Sequence, residues 1–284
     1  MTRHWIIAFS TAFFLAGAGA WAQSPAVAPF AARGASAPAV MPEPAPDPYA
    51  AIRQKLAGTG VALPPGDEFK RDWIYQTYAE RVTLFATLPP MNGGVAFVGD
   101  SLTDYGRWAD AYPNLTVRNF GIFGDTTAGL AARLEQVIKA KPDRILILIG
   151  TNDIEYGRPL PEIAANIDRI VMRLSAALPK SKLFLETLLP RQPQFADEVK
   201  TVNVDIRKIA VRRKVVLVDL YPHFVAPGGR LDPAITIDGL HLTGPGYARW
   251  RGLIQDYVVS AAGQKAPARL PRRKRPTLKK DRPA

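Results

Sequence analysis

The sequence has no cysteine in its 284 residues. This absence excludes a disulfide, a lipoprotein attachment site and a zinc site with thiolate ligands. Histidine is scarce as well, with only His4, His223 and His241 present. Because a catalytic zinc ion usually takes three protein ligands, two histidines beyond residue 22 argue against a metalloenzyme. We therefore expect a protein without a metal or any other cofactor.

The chain also lacks a long uninterrupted hydrophobic run. Its most apolar stretch, Ile6–Ala20, is shorter than the ~20 residues that a membrane-spanning helix needs, and glycine and alanine dilute it. It follows a short polar start and ends in Ala20-Trp21-Ala22, an A-x-A cleavage sequence, so residues 1–22 are predicted to be a secretory signal peptide. The alternative is an anchor that stays attached. We expect cleavage, export to the periplasm or beyond the cell, and no membrane span afterwards.

The formal net charge of +12 comes mostly from one end of the chain. Residues 264–284 hold nine Lys or Arg and a single Asp, and they lack the apolar periodicity of a packed element. We expect a disordered basic tail that can contact anionic envelope polymers. Its run Arg272–Arg275 resembles a nuclear localisation signal, but the export signal argues against nuclear entry and against a specific nucleic-acid partner.

Two segments precede the predicted globular domain. Residues 23–48 contain seven prolines and much alanine, which favours an extended linker. Residues 49–90 are predicted to be a helical extension, with helices at 49–57 and 67–87. Four residues of the second helix recur at spacings of three to five and predict one apolar face that packs on the core, namely Trp73, Tyr78, Val82 and Phe85. The other possibility is that this helix lines a substrate cleft.

Residues 91–263 alternate between strand-like and helix-like segments. The predicted strands are 95–98, 115–119, 144–149, 182–189 and 215–220, and the predicted helices are 126–139, 161–178, 197–213 and 244–262. Alternation of this kind is typical of a parallel sheet covered by helices on both faces. The segment Arg144–Ile149, apolar at every position after Arg144, is of the type buried in such a sheet. We therefore expect an α/β domain built as a three-layer sandwich.

A serine follows the first predicted strand, in Gly99-Asp100-Ser101-Leu102-Thr103. The end of a buried strand is where an α/β sheet usually presents its chemistry, although a serine in a turn is also a common helix cap. The chain has no G-x-S-x-G sequence, so the common α/β-hydrolase arrangement is not supported. A histidine base for this serine has to be His223, four residues after Asp219, or His241, three residues after Asp238.

Four blocks in order carry a resemblance to a known family. They are residues 99–103, 119–125, 150–153 and 238–241, within a stretch of about 92–262. Together they resemble the SGNH branch of the GDSL-type esterases and lipases, and the second block resembles the platelet-activating-factor acetylhydrolase-like enzymes. Phe123 stands where that branch more often has glycine, which points to a smaller adjoining pocket.

The resemblance implies a flavodoxin-like α/β/α fold and a role for each matching residue. Ser101 is implied as the nucleophile, His241 as its base and Asp238 as the carboxylate that orients the base. The implied oxyanion donors are the N–H groups of Ser101 and Gly124 and the side chain of Asn152, with Gly121 as a competing glycine. His223 is left as a structural or rim residue. Supporting hydrogen bonds within the loops are expected from Asp100, Asn119, Asp125 and Asp153.

The implied activity is hydrolysis of an O-acyl ester through an acyl-enzyme on Ser101. The family's substrates include acetylated sugars, short esters and lysophospholipids, and nothing in the sequence selects among them. Two alternatives stay open: an acyltransferase that passes the acyl group to a sugar hydroxyl, and a polyanion-binding protein that acts through its basic tail. Tyr105, Trp108 and Phe123 are candidates for an acyl pocket, although core packing accounts for each of them almost as well.

Overall fold

The computed structural model describes residues 72–259 and the isolated positions 50 and 54. Five parallel strands form one sheet in the order β2-β1-β3-β4-β5. They are β1 (Val95–Gly99), β2 (Val117–Gly121), β3 (Arg144–Leu148), β4 (Lys182–Glu186) and β5 (Val216–Val218). The predicted signal peptide, the linker and the basic tail lie outside the described residues, as does the predicted helix at 49–57 apart from positions 50 and 54.

Nine α-helices connect and cover these strands within residues 72–259. They are α1 (Asp72–Thr87), α2 (Ser101–Asp104), α3 (Trp108–Ala111), α4 (Thr127–Ala132), α5 (Leu134–Ala140), α6 (Thr151–Glu155), α7 (Leu160–Ala177), α8 (Ala196–Arg213) and α9 (Gly244–Val258). Short 3₁₀ turns lie at Pro193–Phe195, Tyr221–His223, Pro227–Gly229 and Pro233–Ile235. None of the helices in the part of the chain described here is long and apolar enough to cross a membrane.

Side chains alternate between two hydrophobic cores, one on each face of the sheet. In β1, Ala96 and Val98 point to the core that α1, α4, α5, α7 and α8 cover. Val95 and Phe97 point to the opposite core, which holds Trp108 of α3 and Trp250 of α9. This period of two is what a strand buried on both faces requires. The predicted three-layer α/β/α fold is confirmed.

The order of the strands places the chemistry at one edge of the sheet. The chain moves outward from β1 to β2, then returns past β1 to β3, so the direction of winding reverses between β1 and β3. Gly99 at the end of β1 is level with Gly121 in β2 and Leu148 in β3. In sheets of this kind, ligands bind outside the carboxyl ends of the strands at such a reversal.

The predicted helix over 126–139 is divided in two. Arg133 separates α4 from α5 with φ −105° and ψ 10°, and its side chain is 1% exposed. The guanidinium donates from Nε to Asp125 Oδ2 at 2.8 Å and from Nη2 to the carbonyl of Gly99 at 3.0 Å. The break in the helix therefore turns a charged side chain inward, under the end of β1, which hydrophobic spacing alone does not predict.

The predicted apolar face of the first helix was wrong at one residue, Trp73. Tyr78, Val82 and Phe85 are buried in the core as expected, but Trp73 is 47% exposed. The buried face begins one residue later, at Ile74, because the spacing from Trp73 to Tyr78 is five residues and falls outside the stripe. Trp73 instead contacts the ring of Phe123, with 5.0 Å between the centroids. The helix thus packs on the core and also reaches the functional edge of the sheet.

Candidate active site

Ser101 lies at the start of α2, directly after the end of β1. Asp100 caps this short helix by accepting the N–H of Leu102 on Oδ1 at 3.0 Å. Gly99 is required here because a Cβ would lie 2.2 Å from the carbonyl oxygen of Leu148 in the neighbouring strand. The tight turn between β1 and α2 fixes the backbone of Ser101, which is 2% exposed, at the carboxyl end of the sheet.

Ser101, His241 and Asp238 form a continuous hydrogen-bonded chain. Ser101 Oγ lies 3.0 Å from His241 Nε2, and His241 Nδ1 lies 2.6 Å from Asp238 Oδ2. The serine comes from the end of β1, whereas the other two come from the loop before α9, 140 residues away in sequence. A hydroxyl, an imidazole and a carboxylate in this order can activate the hydroxyl as a nucleophile.

The loop holds Asp238 by its other oxygen. Asp238 Oδ1 accepts the N–H groups of Leu240 at 2.9 Å and His241 at 2.8 Å. Partial burial alone raises the pKa of Asp238, but the hydrogen bonds from the His241 side chain and from the two N–H groups outweigh it and hold the pKa at about 2. The carboxylate is therefore ionised throughout the neutral range and aligned with His241.

Gly124 and Asn152 lie in adjoining loops after β2 and β3. Gly124 has φ +73°, and a Cβ there would lie 2.4 Å from Ile74 Cγ2 of α1. Asn152 donates from Nδ2 to the carbonyl of Asp125 at 2.8 Å. The N–H of the competing glycine, Gly121, is already hydrogen-bonded, because it donates to Asn119 Oδ1 at 2.8 Å. This geometry favours Gly124 over Gly121 as a donor to a ligand.

Two buried carboxyl groups, Asp125 and Asp153, connect these loops through hydrogen bonds and an ion pair. Asp125 receives Arg133 in an ion pair and the N–H of Thr126 at 2.9 Å. Asp153 accepts the N–H of Thr127 at 2.9 Å and its hydroxyl at 2.5 Å, which ties α6 to the start of α4. Burial raises the pKa of Asp125 to about 7 although Arg133 opposes it. The loop that carries Gly124 is thereby joined to the loop that carries Asn152.

Asp100 is the least satisfied of the buried carboxyl groups around Ser101. Its Oδ2 is buried without a hydrogen-bond partner. Burial raises the pKa of Asp100 to about 8, the N–H of Leu102 opposes this, and the negative charges of Asp125 and Asp153 reinforce it. The group is thus a neutral cap at neutral pH rather than a second ionised carboxylate beside the serine.

Asn119 fixes the turn that follows α2. Its Nδ2 lies 2.9 Å from the carbonyl oxygen of Thr103, 3.0 Å from that of Asp104 and 3.2 Å from that of Gly106.

Two of the candidate pocket aromatics, Tyr105 and Phe123, lie beside His241. Their ring centroids are 5.3 and 6.1 Å from the centroid of the imidazole.

Trp108 lies in the core, and His223 lies on the surface. Trp108 is 1% exposed and stacks on Phe97 at 4.2 Å, which makes it a core residue and not part of a pocket. His223 is exposed at the end of a 3₁₀ turn, Tyr221–His223, where its carbonyl accepts Arg249 Nη1 at 3.1 Å. The structure therefore joins only one of the two candidate histidines, His241, to Ser101.

Sequence analysis did not identify three polar side chains that support the site. Gln192 donates from Nε2 to the carbonyl of Asp238 at 3.0 Å, and the hydroxyl of Thr236 accepts the N–H of Gly239 at 2.9 Å. Arg191, 1% exposed, donates to the carbonyl of Thr151 at 2.7 Å. All three bond to backbone groups, and such contacts leave no motif in a sequence.

The residues at the carboxyl end of the sheet supply a hydroxyl, a base and fixed hydrogen-bond donors, which are the groups that acyl transfer requires. Within residues 72–259 and the two isolated described positions, no group of three or more His, Cys, Asp or Glu could hold a metal ion.

Comparison with known proteins agrees with this chemistry. Residues 97–249 match the GDSL-like Lipase/Acylhydrolase family. The chain belongs to this family. Its members are carboxylic ester hydrolases, so the protein is a GDSL-type esterase or acylhydrolase. The matched stretch contains Ser101, the loops of Gly124 and Asn152, and His241, but it leaves α1 outside.

Relatives of known sequence or structure support the same assignment. The human platelet-activating factor acetylhydrolase IB subunit alpha2 is 33% identical over 168 residues, which cover 55% of this chain and 71% of that one. A GDSL-like lipase from Bacteroides thetaiotaomicron superposes with a TM-score of 0.54 at 26% identity, covering 64% of this chain and 96% of that one. The acetyl xylan esterase AlAXEase shares the fold, with a TM-score of 0.53 at 20% identity over 58% of this chain and all of its own.

Proposed function

We propose that this protein is an exported serine ester hydrolase that cleaves an O-acyl ester through an acyl-enzyme on Ser101. The observation that supports the proposal is the hydrogen-bonded chain from Ser101 Oγ through His241 to Asp238, with contacts of 3.0 and 2.6 Å. The substrate is an acetylated sugar, a short ester or a lysophospholipid.

Acylation begins when Ser101 Oγ attacks the carbonyl carbon of the ester. His241 Nε2 takes the hydroxyl proton, and the ionised Asp238 stabilises the imidazolium that forms. The carbonyl oxygen becomes an oxyanion. When the tetrahedral intermediate collapses, the bond to the alcohol oxygen breaks and His241 gives that oxygen its proton. The alcohol leaves, and the acyl group remains on Ser101.

The developing oxyanion is stabilised by three donors. They are the N–H groups of Ser101 and Gly124 and the second N–H of the Asn152 amide, whose first N–H is bonded to Asp125. Donors of this kind are effective because they are held before the charge appears, and loss of one typically lowers kcat by ~10²–10³. The bonds of Asp125 and Asp153 provide that rigidity here.

Deacylation repeats the sequence with water in place of serine. His241 takes a proton from water, the hydroxide oxygen attacks the acyl carbon, and the proton then returns to Ser101 as the carboxylic acid leaves. If a sugar hydroxyl replaces water at this step, the same site becomes an acyltransferase. The two reactions share every residue named above and differ only in the acceptor.

The experiment that separates hydrolase from transferase is product analysis with and without an alcohol acceptor. Full-length protein is incubated with a 4-nitrophenyl ester series from acetyl to longer acyl chains, alone and with added glucose. We expect free carboxylic acid as the main product under both conditions. Acylated glucose as the main product would instead identify a transferase, and absence of turnover on every ester would refute the proposal.

Export rests on residues 1–22, and its test is independent of the enzyme assay. Protein recovered from outside the cytoplasm is expected to begin at Gln23. Recovery of the activity only in the cytoplasm, on a chain that still begins at Met1, would contradict export without affecting the proposed chemistry.

A further inference from the structure

Three aromatic rings form a row that leads away from His241. Phe123 lies 6.1 Å from the His241 ring, with 17° between the planes, and Trp73 lies 5.0 Å beyond Phe123. Tyr105 flanks both, 5.3 Å from His241 and 5.9 Å from Phe123. We call Tyr105, Phe123 and Trp73 the aromatic row. It joins three segments: α1, the turn after α2 and the loop after β2.

Two of the three residues in the aromatic row are exposed to solvent. Trp73 is 47% exposed and Tyr105 is 49% exposed, while Phe123 between them is partly buried. By contrast, Trp108 and Trp250 on the other side of the sheet are each 1% exposed. The core therefore does not account for the outer rings of the row. Exposed aromatic area beside a reactive centre marks a surface that a ligand can cover.

The position of the row beside His241 determines which part of the substrate it contacts. In the proposed mechanism His241 Nε2 delivers a proton to the leaving alcohol, so that oxygen lies within hydrogen-bond reach of the imidazole. The acyl oxygen points instead to the donors at Gly124 and Asn152. Groups that flank the imidazole consequently flank the leaving group, and Tyr105 and Phe123 of the aromatic row both flank it.

The chemistry around the row disfavours an anionic leaving group. Aromatic faces carry a partial negative charge and attract the weakly positive C–H groups of a flat partner. Arg81, on the same helix as Trp73, is held by Asp104 at 2.6 Å, and Arg191 is paired with Glu155. Both guanidinium groups are therefore already engaged by carboxylates. An anionic phosphate headgroup finds less complementary chemistry here than the C–H face of a sugar ring.

We propose that the aromatic row is a leaving-group subsite on which the rings of an acylated saccharide stack. Tyr105 and Phe123 contact the sugar that carries the reacting ester, and Trp73, one ring further from His241, contacts the next sugar. This inference rests on the proposed serine hydrolysis, because only that mechanism places the leaving alcohol at His241. It makes Trp73, which lies outside the matched family segment, a determinant of specificity.

The test compares substrates of increasing length in full-length variants. The probes are ethyl acetate, peracetylated glucose and peracetylated cellobiose, and the variants are Trp73→Ala, Trp73→Phe and Tyr105→Ala. In Trp73→Ala we expect the ratio of kcat/KM for the cellobiose ester to that for ethyl acetate to fall about tenfold, mainly through KM. Trp73→Phe is expected to recover most of this loss. Tyr105→Ala is expected to lower the ratio for both sugar esters.

Leu84→Ala is the matched control. Leu84 lies on the same helix as Trp73 and is 50% exposed, so its removal changes a similar surface without touching the row. We expect the wild-type substrate ratio in this variant. Melting temperatures of all variants report on folding, and binding of peracetylated cellobiose to the Ser101→Ala background, read from tryptophan fluorescence, gives a measure of the subsite that needs no turnover.

The outcomes separate this inference from the proposed function. Unchanged ratios in both Trp73→Ala and Tyr105→Ala, with ester hydrolysis intact, would overturn the subsite alone. A preference for lysophosphatidylcholine over the cellobiose ester that disappears in Trp73→Ala would assign the row to a lipid and also overturn it. Wild-type turnover in Ser101→Ala would overturn the mechanism whatever the ratios are.

Discussion

At the scale of single residues, His241 depends on the four-residue segment that it shares with Asp238. Asp238 uses one oxygen for the imidazole and the other for two backbone N–H groups, so the segment holds its own acid and base in register. Gln192 and Thr236 then fix the segment from outside. The imidazole therefore reaches Ser101 from a loop and not from the sheet.

The first prediction separates the two histidines of the described chain. His241→Ala is expected to lower kcat for ester hydrolysis by several orders of magnitude, because it removes the base and the proton donor for the alcohol. His223→Ala is the control, since its side chain is exposed in a turn away from Ser101, and it is expected to keep most of the activity. Steady-state kinetics on one short ester show which histidine is the base. An inactive His223→Ala variant beside an active His241→Ala variant would assign the base to His223 instead.

A second prediction concerns Gly124. Gly124→Ala is expected to lower kcat by ~10² and to destabilise the fold, because the new Cβ strains a backbone with φ +73° and collides with Ile74. Gly157→Ala is a matched control: its φ is +70°, but nothing lies within 4 Å of the added Cβ. That variant is expected to lose stability and keep its turnover. Equal activity loss in the two variants would mean that backbone strain, and not the position of the loop, controls the rate.

At the scale of elements, β4 and α9 enclose a carboxyl group that the mechanism does not use. Glu186 at the end of β4 is 2% exposed and accepts Trp250 Nε1 at 3.1 Å. Burial raises the pKa of Glu186 to about 8, and the bond from Trp250 opposes the shift only in part. The folded protein therefore keeps a proton on this residue at neutral pH, whereas the unfolded chain releases it.

The third prediction follows from that difference. Below about pH 4.5 both states are protonated, and between pH 4.5 and about 8 the unfolded chain ionises first, so wild-type stability falls as pH rises. Glu186→Gln removes this dependence and is expected to raise Tm at pH 8 by several degrees, with little gain at pH 4.5. Calorimetry across this range is the measurement, with exposed Glu80→Gln as control. A gain from Glu186→Gln that is the same at every pH would contradict the account.

Much of the element order could be predicted from the sequence because apolar runs and turns record burial directly. All five strands formed within or next to their predicted ranges, although β2 begins two residues later and ends two residues later than predicted. The break at Arg133 and the outward position of Trp73 could not be predicted. Each depends on a partner that is distant in sequence, Asp125 with Gly99 in one case and Phe123 in the other.

The candidate active site also contains residues that could be predicted from the sequence and residues that could not. Motif residues could be identified because their types and order are characteristic, and the structure brings Ser101, Asp238 and His241 together. Gln192, Thr236 and Arg191 could not be identified, since they act through backbone atoms and their sequence neighbours show no pattern. The spacing in α1 left two possibilities, packing on the core or lining a substrate cleft. The helix packs on the core, and its Trp73 also contacts Phe123, whereas contact with a substrate stays a prediction.

At the scale of the whole molecule, charge is distributed unevenly between the enzyme and its C-terminal residues. Residues 264–284 carry nine Lys or Arg against one Asp, and the last described helix, α9, ends at Val258. The tail lies outside the described residues, so its role stays a prediction. We propose that it governs adhesion to anionic surfaces and leaves the chemistry unaffected.

The fourth prediction tests the tail by truncation after Gly263. The shortened protein is expected to keep its Tm and its kcat/KM on neutral short esters. Full-length protein is expected to bind anionic vesicles or a cation-exchange resin at low salt and to be released as salt rises, because charges further apart than ~10 Å are screened at 0.1 M. The truncated protein is expected to bind far less. Loss of short-ester turnover on truncation would show that the tail belongs to the folded enzyme.

The central claim is that acyl transfer passes through Ser101. It is tested most directly by trapping the acyl group from a slowly hydrolysed ester and locating it by peptide mass spectrometry, beside the kinetics of Ser101→Ala. The account predicts one acyl group on the peptide that contains Ser101, and a Ser101→Ala variant with wild-type Tm and only the residual rate that the oxyanion donors support. An acyl group on another residue, or wild-type turnover in Ser101→Ala, would contradict it.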